Sequence, residues 1–150
     1  MRLDTSQRAT IERELRIAAA PEVVFTYLID PARLVTWMGS VATLDPRPGG
    51  VFRLDYHGQW VSSGEFIEVD PPRRVVFTWG WEMQGDPTPP GSSRVEFSLQ
   101  ADNDGTLLRL VHRGLPSEAV GPHTDGWDHF LPGLATATGA HAAVSNAEEA

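Results

Sequence analysis

Between residues 41 and 112 the chain alternates apolar and polar side chains in one short run after another, and a single long helical pattern follows. That order constrains the fold more than any other feature. Strands joined by tight turns pair as antiparallel hairpins, and one helix must cover the apolar face they share. VFRLDYH (51–57) places Phe52, Leu54 and Tyr56 on one side. RVVFTWGW (74–81) does the same with Val75, Phe77, Trp79 and Trp81, and RVEFSLQ (94–100) with Val95, Phe97 and Leu99. TLLRLVH (106–112) aligns Leu108, Leu110 and His112 opposite Arg109. VATLD (41–45) and QWVSSGEFIEV (59–69) complete six strands, separated by turn clusters such as DPRPGG, HG and ADNDG.

Upstream, ATIERELRI (9–17) alternates as an edge strand, with Ile11, Arg13, Leu15 and Ile17 on one side. APEVVFTYLID (20–30) carries Val24, Phe25 and Leu28 at helical spacing, and PARLVTWM opens a second short helix ending near Gly39. Pro31 forces the break between the two. Downstream, Trp127, Phe130, Leu131 and Leu134 fall at i, i+3, i+4 and i+7, the buried stripe of a final helix that starts near Ser117 or Asp125 and ends at Gly139. An antiparallel sheet of six to seven strands curls, and one helix cannot fill its concave face. The predicted product is an α+β helix-grip over residues 1–140, one domain with a cavity between sheet and helix. A flexible tail is expected over 141–150.

Composition excludes several chemistries. The chain of 150 residues is 41% hydrophobic and needs no covalent staple to form a core. It has no cysteine, so disulfides, zinc–thiolate sites and thiol nucleophiles are impossible. All twelve basic residues are arginine, which removes Schiff-base and P-loop lysine chemistry and is associated with a GC-rich, bacterial genome. A formal charge of −8 argues against nucleic acid as partner. The start, MRLDTSQRATIEREL, lacks an apolar core segment and reads as carrying no signal peptide, and no run is long enough to span a membrane. A cytoplasmic location is expected.

Five segments resemble a known family. They are APEVVFTYLIDPARLVTWM (20–38), DPRPGGVFRLDY (45–56), GEFIEVDPPRRVVFTWGW (64–81), GTLLRLVHRGL (105–115) and HTDGWDHFLPGL (123–134). Together they are similar to the START-like, birch-allergen-like (SRPBCC) superfamily, in its branch of heat-shock ATPase activator homologues. The resemblance implies a helix-grip fold with a pocket for small, largely apolar molecules. It implies no single activity, since relatives include carriers, cyclases, hydrolases and chaperone partners.

The pocket is expected between helix and sheet, walled by Trp79, Trp81, Phe97, Leu110, Trp127 and Leu131. Trp37 and Met38 extend it from the second short helix. Phe52, Leu54, Tyr56, Phe77, Val95 and Leu108 extend it from the strands, and Phe130 and Leu134 from the last helix. His112 is expected at the inner rim, where its loss would perturb binding more than folding. Glu65 points inward with Ile67 and Val69 if its strand is regular, and outward if Ser63-Gly64 forms a bulge. An inward Glu65 and His112 would make an acid–base pair. In HTDGWDH, Asp125 reads as a helix N-cap and His129 lies roughly 200° from Trp127, on the outside. No metal and no cofactor are expected. The favoured function is binding of a small hydrophobic, aromatic or polyketide-like molecule. The alternatives are a cyclase- or hydrolase-type enzyme using His112 and Glu65, and a chaperone partner. A homodimer through the edge strand at 10–17, helped by an exposed Trp60, is a further expectation.

Overall fold

The computed structural model describes residues 8–149, with side chains from 9 to 139. The expected tail at 141–150 lies outside the residues whose side chains are described. The strands are β1 (Arg8–Ile17), β2 (Val41–Leu44), β3 (Val51–Tyr56), β4 (Trp60–Asp70), β5 (Arg74–Trp79), β6 (Ser93–Asp102) and β7 (Gly105–Pro116). They form a 7-stranded sheet in the order β1-β7-β6-β5-β4-β3-β2, antiparallel at every step. The alternating runs therefore pair as consecutive hairpins. β1, which precedes them in sequence, joins β7 at one edge.

α1 (Pro21–Ile29) and α2 (Pro31–Leu34) follow β1 as two short helices meeting at Asp30. The ring of Pro31 holds Asp30 in extended conformation, which ends α1, and the Asp30 side chain then accepts from the Ala32 amide at 3.1 Å to cap α2. Val24, Phe25 and Leu28 of α1 are buried, as their spacing requires. Trp37, just after α2, donates its indole N–H to the Tyr27 carbonyl at 3.0 Å and locks the two helices together.

α3 (Ser117–Glu149) lies across the concave face. It begins at Ser117, so Asp125 is an exposed interior residue and not an N-cap. Gly121, Pro122 and Gly126 look like breakers, yet Ala119 and Trp127 are buried against the sheet on one continuous stripe through this stretch. Packing overrides propensity here. Pro122 and Pro132 both lie inside the helix, each without the amide that would bond one turn back. Among the described residues no helix is long and apolar enough to cross a membrane.

The middle of the grip is solid. Phe52 stacks on Phe77 at 4.0 Å and meets Phe66 edge-on at 5.8 Å. Val95, Phe97, Leu108 and Leu110 from the sheet, and Leu131 and Leu134 from α3, are all buried in the same cluster. Trp37 belongs to it too, with Gly133 of α3 lying against its side chain.

β4 departs from regular alternation, and this corrects the placement of Glu65 and Ile67. Its inner face carries Ser62 and Phe66, both fully buried, while Glu65 and Ile67 are exposed. A register shift between Phe66 and Glu68 then inserts one residue, so the next partner of the core is Val69, opposite Val75. A bulge does occur, but after Phe66 and not at Ser63-Gly64. Gly64 instead permits a close approach of backbones, because a β-carbon there would stand 2.0 Å from the Thr78 carbonyl oxygen.

Candidate functional site

At one end of the grip the packing gives out and a cavity of about 500 Å³ opens between the sheet and the first turns of α3. Tyr56 and Trp60 wall it from the β3–β4 hairpin, where they are direct cross-strand partners and so share a face. The turn between them runs through His57 and Gly58, both with positive φ (57° and 73°), the twist a tight hairpin needs. Trp79 and Trp81 wall it from the end of β5, edge to face at 5.4 Å. Ala119, Pro122, His123, Gly126, Trp127 and Phe130 form one stripe along α3, at steps of helical spacing. Met38 contributes from beyond α2.

Gly80 positions the remaining wall. A β-carbon there would stand 1.8 Å from the Pro89 carbonyl oxygen, so only glycine lets the loop at 82–92 fold onto the strand end. The Trp81 amide bonds the Thr88 carbonyl at 2.7 Å and holds the loop down. This brings Asp86 and Pro87 to the cavity, which Glu118 in the first turn of α3 also borders.

Beneath the cavity, three indoles and two imidazoles form a closed hydrogen-bonded group. Trp79 and Trp81 both donate to Nε2 of His123, at 3.3 and 3.0 Å. A nitrogen that accepts carries no proton, so the His123 proton is on Nδ1, which donates to the Ala119 carbonyl at 2.8 Å. Trp127 donates to Nδ1 of His112 at 3.0 Å. The His112 proton is therefore on Nε2, directed at the Ser93 hydroxyl at 2.9 Å, and Ser93 donates onward to the Trp79 carbonyl at 2.9 Å. The two rings, 5.2 Å apart, hold opposite tautomers. Burial, reinforced by the neighbouring His123, pushes His112 down to about 3. Burial lowers His123 as well, against the opposing pull of its Ala119 bond and of Asp86. Both rings are neutral.

Of the residues expected around a pocket, Met38, Tyr56, Trp79, Trp81, Trp127 and Phe130 border this cavity. Phe52, Leu54, Phe77, Val95, Phe97, Leu108, Leu110, Leu131, Leu134 and Trp37 are buried in the core cluster and do not border it. His112 is fully buried and four residues short of the end of β7, with both ring nitrogens engaged, so it is no rim residue. Glu65 stands on the outer face of the sheet, and the expected acid–base pair does not form. Trp60, 50% exposed, is at the cavity mouth and not on a free outer surface. Sequence reasoning missed the loop residues Asp86 and Pro87 and the first turns of α3, His123 above all. His123 stands four before Trp127, so extending the apolar stripe of α3 back across Asp125 and Gly126 would have found it.

A curved antiparallel sheet closed on a long C-terminal helix, with an aromatic cavity at one end, is the architecture of a helix-grip protein. The chain belongs to the family described as "Activator of Hsp90 ATPase homolog 1-like protein", which it matches over residues 18–139. It is 33% identical over 99 residues to an uncharacterised protein of Schizosaccharomyces pombe, covering 66% of this chain and 27% of that protein. The chain thus spans little more than a quarter of that relative. The solution structure of an AHSA1-like protein from Rhizobium etli is 39% identical, with a TM-score of 0.69, covering 88% of this chain and 83% of that one. A crystal structure of a Mesorhizobium loti protein is 25% identical, with a TM-score of 0.78 and coverage of 86% and 96%.

Proposed function

We propose that the protein binds a small molecule with an apolar, aromatic body in the cavity between Trp60, Trp81 and α3. One observation carries this reading: a space of about 500 Å³, in the usual range of small-molecule sites, is walled mostly by aromatic and aliphatic groups. The rings are held in place by bonds to His123 and His112, so they keep their positions without a side chain to fill the gap. The same geometry speaks against His112 and Glu65 acting as an acid–base pair there. His112 is sealed under Trp127, and Glu65 faces away.

Gly126 supplies the test. It borders the cavity, and a β-carbon there would meet nothing within 4 Å. Gly126→Phe should fill the space from within, while replacing a helix-interior glycine by phenylalanine gains about 0.5 kcal/mol or less in helix propensity. Naphthalene derivatives should quench wild-type tryptophan emission saturably, and the variant should be silent yet fully folded. A wild type that gives no saturable response sinks the proposal. The family description carries a second reading, a protein partner of an Hsp90-type ATPase. Co-precipitation with such an ATPase, unaffected by Gly126→Phe, would favour it over the cavity.

A further inference from the structure

The chemistry of the cavity wall says which charge a ligand carries. This step rests on the binding reading above. The indole N–H groups of Trp79, Trp81 and Trp127 are taken up by imidazole nitrogens, so those three rings offer a ligand no hydrogen-bond donor, only aromatic carbon. His123 accepts two bonds at Nε2 and gives its one proton to Ala119, so it offers a ligand neither a donor nor a positive charge. Among the described residues no arginine borders the cavity, and the formally charged side chains on its wall are Asp86 and Glu118. Elsewhere the arginines are matched to acids: Arg53 to Glu82, Arg74 to Glu68, Arg113 to Glu96, Arg109 to Glu12, and Arg13 to Asp128. Asp86 and Glu118 have no ion pair among the described residues.

The two carboxylates are not scattered at random around the mouth. Asp86 accepts the Thr88 amide at 2.8 Å, which fixes its side chain on the folded loop, and its charge acts on His123. Glu118 directly precedes Ala119, whose carbonyl holds the same imidazole. Both therefore stand at the His123 end, near the Trp79–Trp81 pair. Ring faces are the negative pole of an aromatic quadrupole, and a cation held over them is attracted most strongly where water is excluded. Carboxylates beside such a box add to that attraction and repel an anion. We propose that the ligand is cationic: an amine or quaternary ammonium compound with an aromatic or apolar body, its charge between the indoles and Asp86 and Glu118.

Three naphthyl probes of nearly one size separate the possibilities by isothermal titration calorimetry: naphthylmethylammonium, naphthylmethanol and naphthoate. The ammonium should bind about tenfold or more tightly than the alcohol. Its advantage should shrink as salt is raised, and naphthoate should give no heat of binding. In the Asp86→Asn/Glu118→Gln variant the ammonium-to-alcohol ratio should fall toward about one. Equal affinities for ammonium and alcohol, binding of naphthoate, or a ratio unmoved in the variant would each overturn the charge assignment and leave the cavity as a binding site. Silence from all three probes would remove the binding reading, and this one with it.

Discussion

Phe77 and Trp79 are neighbours on the inner face of β5, two residues apart, and they belong to two different kinds of interior. Phe77 stacks on Phe52 at 4.0 Å, meets Phe66 edge-on, and borders no part of the cavity. Trp79 meets Trp81 at 5.4 Å and Trp127 at 5.8 Å, and this group borders a void. The first region is held by dispersion and loss of water, which are non-directional and close any gap that side chains can reach. The second is held by N–H···N bonds, which fix distance and angle. The difference teaches how one sheet face can be solid in the middle and hollow at the end: directional bonds resist the collapse that apolar packing alone would drive.

The largest effect should come from cutting into the solid part. Phe77→Ala should cost about 3–5 kcal/mol in denaturant unfolding. Trp81→Ala, at the hollow end, should cost less than half of that, because Trp81 is only partly buried and His123 keeps the Trp79 bond. Equal costs would erase the distinction between the two regions.

His112→Ala comes next. It leaves the buried Trp127 N–H without an acceptor, while Ser93 keeps its bond to the Trp79 carbonyl, and an unmet buried group costs about 1–3 kcal/mol. This reverses the expectation of a rim histidine whose loss is felt mainly in binding. Unchanged stability in the variant would return His112 to a ligand-contact role.

Acid should loosen the hollow end first. An unfolded histidine takes up its proton near pH 6.5, whereas folded His112 does so only near pH 3. Between those values the unfolded state binds more protons, so stability is complete above pH 6.5 and declines as pH falls toward 3. The slope is up to about 1.4 kcal/mol per pH unit for each imidazole, and His123, also lowered, adds to it. An unfolding midpoint that stays flat from about pH 7 to about pH 5, where most carboxylates remain ionised, would show that the rings are not buried neutral bases.

Trp60→Ala should have the smallest effect on stability. The side chain is 50% exposed, and its removal should shift unfolding by no more than about 0.5 kcal/mol while weakening binding of aromatic probes. A large loss of stability would mean that the hairpin side of the cavity is packed, not open.

Alternation between residues 41 and 112 is enough to read the strands, their pairing in hairpins and the inward residues of β3, β5, β6 and β7. It also places Trp79, Trp81 and Trp127 together once the helical stripe is added. Three things are illegible for physical reasons. A period of two cannot register the extra residue after Phe66, so it aligns Glu65 and Ile67 with the wrong face. Gly121, Pro122 and Gly126 carry weak local propensity, which hides the first turns of α3 and His123 with them. Periodicity also states which face is apolar but not whether it meets another surface. That is why it assigns Phe97, Leu110 and Leu131 to a pocket whose lining does not include them.

Gly80 has a consequence for how such a site can diversify. The loop that carries Asp86 and Pro87 is seated by a bare backbone position and by the bond from the Trp81 amide to the Thr88 carbonyl. Exposed Met83, Gln84 and Pro87 form no part of that seat, so a descendant of this chain could present other groups to the cavity by altering such loop positions alone. A side chain at position 80 would lift the whole segment and unmake the wall in a single step. Ligand preference is thus free to drift in the loop, while the seat beneath it stays under constraint.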